Sequence, residues 1–311
     1  MTATAYVPYS YKETLEASEK VLWTIADIIG GDRKLDFSKP FMPESLARVE
    51  QLDFLNDDEK LVLNQIRGNE YLSLFGIVEE YILPFVIDHA RPLLRPLIDG
   101  DDYRVRALLN FAEEEAKHIQ LFRRFREEFA EGFGTKCEVI GPAEAIGRAV
   151  LAHHPLAVAL NILHIEWMTQ RHYTDSVTNN KALDPQFKSL LKHHWMEEAQ
   201  HAKLDTLMVE ALAEACTEEE VVRAFDEYLA IGMFVDDGLG QQIELNLDAF
   251  TRATGRSLRD DERRRYLDVQ RQAVRWTYLG SGMNHPKLIA TIERLNPALQ
   301  TKLEEIAPAF S

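Results

Sequence analysis

Residues 194–201 read HWMEEAQH, a stretch that ends in the pair Glu198 and His201, three residues apart. A second Glu-x-x-His pair, Glu115 and His118, stands earlier in the chain. Residues three apart lie on one face of an α-helix, so each pair presents a carboxylate and an imidazole side by side. The interpretation of the rest of the sequence starts from these two pairs.

Both pairs lie inside apolar stripes of predicted helices. Leu108 and Phe122 flank the first pair, and Leu190 and Leu191 precede the second. Burying an ionised carboxylate without a partner is costly, so such groups pair, lose their charge or bind a metal. Two inward pairs on two helices are the ligand pattern of a di-metal carboxylate four-helix bundle, and we interpret them as metal ligands.

Two further residues share the stripe of the second pair. His194 lies one turn before Glu198 and is predicted to be an additional ligand. Asp205 follows His201 by four residues, and we expect it to orient that imidazole through its free ring nitrogen rather than to bind metal. The charged neighbours of the two pairs are expected to face solvent, among them Glu113, Glu114 and Glu197.

The other two core helices should each supply a carboxylate. Glu166 is the only acidic residue within the apolar run of the third core helix. On the first core helix we favour Glu80, which follows the small residues Ser73 and Gly76, with Glu79 as the alternative register. Four carboxylates would balance the charge of two divalent ions, which suits a dry interior.

Helical periodicity dominates the chain, and no alternating strand pattern stands out. We predict an all-α chain forming one domain over 1–311, in which 1–56 hold an N-terminal helix and linker, 57–215 the di-metal four-helix core, and 216–311 helices that pack on the core. The expected helices cover roughly 11–29, 57–97, 102–133, 155–178, 185–215, 218–250, 258–280 and 286–306. Asp184-Pro185 and Thr217-x-x-Glu220 predict the starts of two of them.

Composition excludes several classes of partner and site. The net charge of −16 argues against a nucleic acid or an anionic membrane as the main partner. Cys137 and Cys216 are the only cysteines and form no C-x-x-C pair, so a disulfide framework or a thiolate metal site is not expected. With no apparent signal peptide or membrane-spanning stretch, we expect a cytoplasmic protein.

The ligand set resembles that of ferritin-like di-iron carboxylate proteins, and so implies a ferritin-like bundle with additional N- and C-terminal helices. The spacing His194-x-x-x-Glu198-x-x-His201 is similar, more narrowly, to the p-aminobenzoate N-oxygenase family of arylamine oxygenases. The resemblance covers roughly residues 57–212.

This resemblance implies an O2-dependent di-iron oxygenase that N-oxygenates an amine or arylamine. It also implies two iron ions, with a manganese/iron pair as an alternative, an electron donor or reductase, and no catalytic residue beyond the metal ligands. Hydroxylation or desaturation at carbon, and ferritin-like iron handling, stay open as alternatives. The oligomeric state is open as well, a homodimer included.

Overall fold

The computed structural model describes residues 9–94 and 102–310 of the chain. These residues form helices joined by short connections, and their only β-type pairing is an isolated bridge between Gly30 and Arg33. The prediction of an all-α chain is confirmed for the part that the structure describes. Within it, no helix combines the length and the apolar character that crossing a membrane requires.

Several helices begin and end where the sequence places them. In chain order the helices are α1 (Tyr11–Ser18), α2 (Ile25–Ile28), α3 (Glu44–Ala47), α4 (Asp57–Ala90), α5 (Asp102–Phe133), α6 (Ala143–Leu151), α7 (Pro155–Arg171), α8 (Pro185–Glu214), α9 (Glu218–Thr254), α10 (Asp260–Arg275), α11 (Ser281–Met283), α12 (Pro286–Leu295) and α13 (Pro297–Ile306). Segments of π-helix continue α7 over His172–Val177 and α10 over Trp276–Gly280. Turns of 3-10 helix occupy Val49–Gln51, Arg91–Leu94 and Ala307–Phe310.

Side chains at the helix starts explain two of these boundaries. Asp184 caps α8: its carboxylate accepts a hydrogen bond from the Phe187 backbone amide. Pro185 follows Asp184 and occupies the first position of the helix. Thr217 and Glu220 form a capping box at the start of α9. Both predicted starts are confirmed.

Two predicted boundaries differ from the structure. The expected helix over 11–29 is two short helices, because the chain turns to an extended conformation at Thr24, where the Asp27 carboxylate caps the second helix. The first core helix ends at Ala90, and its expected end at Leu97 lies outside the described residues.

Four long helices form the core that positions the candidate site. Helix α4 packs along α5, α7 packs along α8, and α5 also contacts α8. Helix α9 covers α4 and α7 from outside, and α10 packs on α9. Residues from α9 onward thus build a wall beside the core, while the division into a single domain stays a prediction.

Candidate metal centre

All four core helices direct ligand-type side chains into one buried cluster. Two groups of side chains bring their ligand atoms within 4.8 Å of one another: Glu79, His118, His194 and Glu198 in the first, and Glu115, His118, Glu198 and His201 in the second. The carboxyl group of Glu166 in α7 interacts directly with that of Glu198. These seven residues, which we call the centre, are each at most 2 % exposed.

The carboxylate from α4 is Glu79 and not the favoured Glu80. Glu79 Oε1 lies 3.1 Å from His194 Nε2, and its Oε2 lies 3.6 Å from His118 Nδ1. Glu80 is exposed, so the expectation that it faces the centre is wrong. The large residues Leu72 and Phe75, two turns and one turn before Glu79, belong to the buried stripe of α4 and set the register.

Two carboxylates across the α5–α8 contact fix the imidazoles of the Glu-x-x-His pairs. Glu197 Oε2 lies 2.9 Å from His118 Nε2, and Glu114 Oε2 lies 2.9 Å from His201 Nε2. A carboxylate that accepts the Nε2 proton leaves Nδ1 as a lone-pair donor. In each ring Nδ1 faces the centre, at 3.1 Å from a Glu198 oxygen.

These partners correct three expectations. Glu114 and Glu197 were predicted to face solvent, yet both are buried, because each reaches across to the histidine of the other helix. Asp205 is expected to orient the His201 ring, but Glu114 is the hydrogen-bond partner of His201 Nε2. Neither Asp205 oxygen has a hydrogen-bond partner. The repeated pattern Glu-Glu-x-x-His, at 114–118 and 197–201, is the signal that could have identified both carboxylates.

The third histidine, His194, also directs a ring nitrogen into the centre. His194 Nε2 lies 2.7 Å from Glu198 Oε1 and 3.1 Å from Glu79 Oε1. Its ring packs against the rings of Phe75 and Phe122, at centroid distances of 5.5 and 5.1 Å. His194 is therefore held in a geometry from which it can serve as a nitrogen ligand.

The charges of the centre do not balance within it. Burial and the neighbouring charge of Glu198 raise the pKa of Glu166 well above its ordinary value. Burial alone would lower the pKa of His118, but contacts with Glu197, Glu198 and Glu79 outweigh it and raise that pKa well above normal. Without a bound cation the centre must therefore take up protons to offset its carboxylates.

The donor atoms fit a pair of divalent ions. Carboxylate oxygens of Glu79, Glu115, Glu166 and Glu198, and Nδ1 of His118, are buried without a hydrogen-bond partner. His118 Nδ1 and Glu198 Oε1 approach to 3.1 Å, yet their geometry is not that of a hydrogen bond. Lone pairs converging on common points, from oxygen and imidazole donors alone, suit iron or manganese better than thiolate-preferring ions.

A segment before the core covers the histidine side of the centre. The Trp23 ring stacks parallel to His118 at a centroid distance of 6.2 Å, and Lys117 Nζ lies 4.1 Å above the Trp23 ring. The Ser18 hydroxyl donates a hydrogen bond to Glu114 Oε1 at 2.5 Å. The end of α1 and its connection to α2 therefore pack against Glu114 and His118.

Comparisons with known proteins give structural similarities only. No family model and no curated protein matches the chain. An R2-like ligand-binding oxidase variant with an aerobically reconstituted Mn/Fe cofactor is 16% identical, with 85% of this chain and 91% of that chain covered and a TM-score of 0.49. A variant of the same oxidase with an Fe/Fe cofactor is 17% identical, with coverage of 85% and 91% and a TM-score of 0.48. At these values we report a similarity and derive no function from it, and the narrower resemblance to p-aminobenzoate N-oxygenases stays a prediction.

Proposed function

We propose that this chain is an O2-dependent oxygenase whose centre holds two iron ions, with a manganese/iron pair as the alternative loading. The observation that carries the proposal is the convergence of four carboxylates and three imidazoles from all four core helices on one buried point. A Glu-x-x-His from each of two helices and a Glu from each of the other two are the ligands of di-metal carboxylate bundles. Those four carboxylates would offset the charge of two divalent ions.

The seven residues of the centre would hold two metal ions, one at each of the two groups of ligand atoms. Glu79 and His194 would bind on one side, and Glu115 and His201 on the other, while Glu198 belongs to both groups. When bound, the metal pair supplies the electrons and the Lewis acidity that O2 activation requires. The chain's own contribution is to fix the ligands, exclude water and place a substrate next to the pair.

The residues around the centre perform that positioning. Glu114 and Glu197 hold His201 and His118 in the tautomer that presents Nδ1 inward. Lys117 forms an ion pair with Glu197 and so places a positive charge next to this carboxylate beside His118. Trp23 stacks on the His118 ring and so helps to hold it in place.

We propose an amine, and in particular an arylamine, as the substrate, oxidised at nitrogen. The support is the third histidine, His194, whose spacing from Glu198 and His201 carries the resemblance to arylamine N-oxygenases. An electron donor such as a reductase would be needed to return the metal pair to its reduced state. We further propose a cytoplasmic location, supported by two free cysteines, and leave a homodimer to be tested.

The test is anaerobic Fe(II) loading of the purified chain, followed by O2 and an arylamine series. We expect two iron ions per chain, an O2-dependent absorbance change, and products that carry an oxygen atom from labelled O2 on nitrogen. Oxygen on carbon would instead support a hydroxylase, and a very large shell in size-exclusion chromatography would support iron storage. Iron-loaded protein that neither reacts with O2 nor oxidises any amine would refute the proposal.

A further inference from the structure

A small cavity borders His194, between α4, α7, α8 and the π-helix that follows α7. Tyr71, Thr169 and His172 line it beside His194, and each of its lining residues is buried. About 10 Å³ of the cavity is open to the centre of a water-sized sphere, which is room for one water molecule. The cavity is too small for an organic ligand.

His194 directs one ring nitrogen into the centre and leaves the other without a partner. Its Nε2 faces Glu79 and Glu198, and its Nδ1 is buried with no hydrogen-bond partner among the described residues. An imidazole that binds a metal through Nε2 carries its proton on Nδ1, and a buried N–H without an acceptor is costly. Carboxylates meet this need for His118 and His201, so His194 requires an acceptor of another kind.

Hydrogen bonds beyond the cavity determine what the Tyr71 hydroxyl can offer. The Ser281 hydroxyl donates its only hydrogen to the Thr277 carbonyl at 3.1 Å, so it accepts from His172 Nε2, which lies 3.0 Å away. Burial lowers the pKa of His172 to about 3, so the ring is neutral and its Nδ1 carries a lone pair. The Tyr71 hydroxyl, 3.3 Å from this Nδ1, therefore donates to it. The Tyr71 oxygen is thus left with lone pairs as an acceptor.

Thr169 offers a second acceptor for the same reason. Its hydroxyl donates to the Ile165 carbonyl at 3.0 Å, so its oxygen also keeps lone pairs. A water molecule in the cavity would accept from His194 Nδ1 and donate to the oxygens of Tyr71 and Thr169. Three hydrogen bonds are the usual number for a buried water, so the lining groups have the polarity that a water requires.

We propose that this cavity binds one water molecule, which accepts the Nδ1 proton of His194, and that Tyr71 is the residue that positions this water. The proposal rests on the proposed metal centre, because metal at Nε2 is what places the His194 proton on Nδ1. The chain of hydrogen bonds behind Tyr71 ends at the Thr277 carbonyl, which neither gives nor takes up a proton at neutral pH. The chain therefore holds the His194 ring and does not conduct protons.

The same chain gives a role to both π-helical segments. His172 is the first residue of one segment, Thr277 lies in the other, and Ser281 directly follows it. Turns of π-helix are rare and occur frequently at functional sites. Here they bring the side chains behind Tyr71 into one line.

The acceptor also distinguishes His194 from the other two imidazoles. A carboxylate acceptor raises the basicity of a ligating imidazole, and a neutral water does so less. We therefore expect His194 to be the least basic of the three nitrogen ligands. Only its N–H should depend on Tyr71.

The experiment records proton NMR spectra of the Co(II)-loaded protein under nitrogen, since the paramagnetic ion shifts the N–H signals of ligating imidazoles away from all others. We expect one such signal from each histidine of the centre, and His194→Gln identifies the signal of His194. Tyr71→Phe removes an acceptor with little change in shape and should move or broaden that signal alone. If Tyr71→Phe does not fold, Thr169→Val removes the other acceptor and should have the same effect.

Tyr81→Phe is the matched control, because it makes the same change on the same helix at a hydroxyl that pairs with Asn161 instead. It should leave all three signals in place. A crystal structure of the Co(II)-loaded parent protein should show the water between His194 Nδ1 and the Tyr71 oxygen. Titration against a competing chelator should show that Tyr71→Phe weakens one Co(II) by roughly three- to tenfold, less than the 10–100-fold expected when a direct partner is lost.

Three results would overturn the inference: no water in the cavity, an unchanged His194 signal in both Tyr71→Phe and Thr169→Val, or equal shifts of all three signals in these variants. The last result would mean that Tyr71 supports the fold as a whole. Failure of the oxygenase function gives a different pattern. In that case the water and the selective response of the His194 signal would be present, but the iron-loaded protein would not react with O2.

Discussion

Two buried groups of charged residues lie along helix α4, and they differ in how their charge is balanced. Near its start, Arg67 forms an ion pair with Glu70, and Asn246 of α9 donates a second hydrogen bond to Glu70. Near its end, Glu79 joins a centre of four carboxylates whose only nitrogen partners are imidazoles. Both groups are buried, but only the first contains its own permanent cation.

This difference in charge balance distinguishes a buried ion pair with a structural role from a buried cluster with a functional role. The Arg67–Glu70 pair carries one charge of each sign, and Asn246 and Gln242 extend its hydrogen bonds, so its charges balance without an external ion. The centre has unpartnered oxygens and two unpartnered imidazole nitrogens, and no permanent cation among the described residues lies within it to offset its carboxylates. Substitutions in the first group should therefore affect folding, and those in the second should affect metal binding.

The largest effect is expected for Glu198→Ala. Glu198 belongs to both groups of ligand atoms, so its removal takes a donor from both metal positions. We expect iron content to fall from two ions per chain to below one, and O2 reactivity to be lost. Elemental analysis after anaerobic loading and desalting measures this. Retention of both ions would mean that Glu198 is not a shared ligand.

Arg67→Met should destabilise the fold and leave the centre intact. Removing the cation leaves Glu70 buried and unpaired, which costs about 3–5 kcal/mol in the free energy of unfolding. The double variant Arg67→Met/Glu70→Leu should recover most of this loss. Denaturant unfolding of the metal-free protein gives the stability, and elemental analysis gives the iron. Lost iron with unchanged stability would reverse the roles assigned to the two groups.

Glu114→Gln and Glu197→Gln should each weaken metal binding without abolishing it. Each carboxylate holds the imidazole of the opposite helix, and loss of such a partner costs roughly 10–100-fold in metal affinity. Titration against a competing chelator measures the affinity. The matched control is Glu113→Gln, which changes an exposed residue of α5 next to Glu114 and should leave metal affinity as in the parent protein. If all three variants matched the parent, the crossed pairing would have no role in metal binding.

The smallest effect is expected for Glu80→Gln. This side chain is exposed, so the change should alter stability by less than about 0.5 kcal/mol and leave two iron ions bound. Glu79→Gln, one residue away, should lower iron content clearly because Glu79 contacts His118 and His194. The same metal analysis on both variants decides the register of α4. If only Glu80→Gln lost iron, Glu80 and not Glu79 would be the α4 ligand.

Much of the fold was predictable because its signals are local. Helix periodicity predicts the all-α chain, and the caps at Asp184 and Thr217 predict two helix starts within one residue. Residues of the two Glu-x-x-His pairs come together because their spacing and their apolar stripes both place them inward. These features depend on the sequence of one helix at a time.

The features that the sequence did not predict depend on how neighbouring helices pack against each other. The choice between Glu79 and Glu80 turns on how α4 is rotated against its neighbours, and small residues next to the site were a misleading guide. Glu114 and Glu197 resemble solvent-facing charges until α5 and α8 are brought together. The position of Trp23 against His118 follows from the break between α1, which ends at Ser18, and α2, which begins at Ile25, and periodicity does not reveal this break.

Crystallographic anomalous scattering at the iron edge, from crystals loaded anaerobically with Fe(II), tests the central claim most directly. We predict two iron peaks about 3.5–4 Å apart, the usual spacing of two-metal sites. They should lie between the carboxylates of Glu79, Glu115, Glu166 and Glu198, with His118, His194 and His201 around them. No peak within this centre, or iron bound only at the protein surface, would contradict the assignment of a di-metal oxygenase.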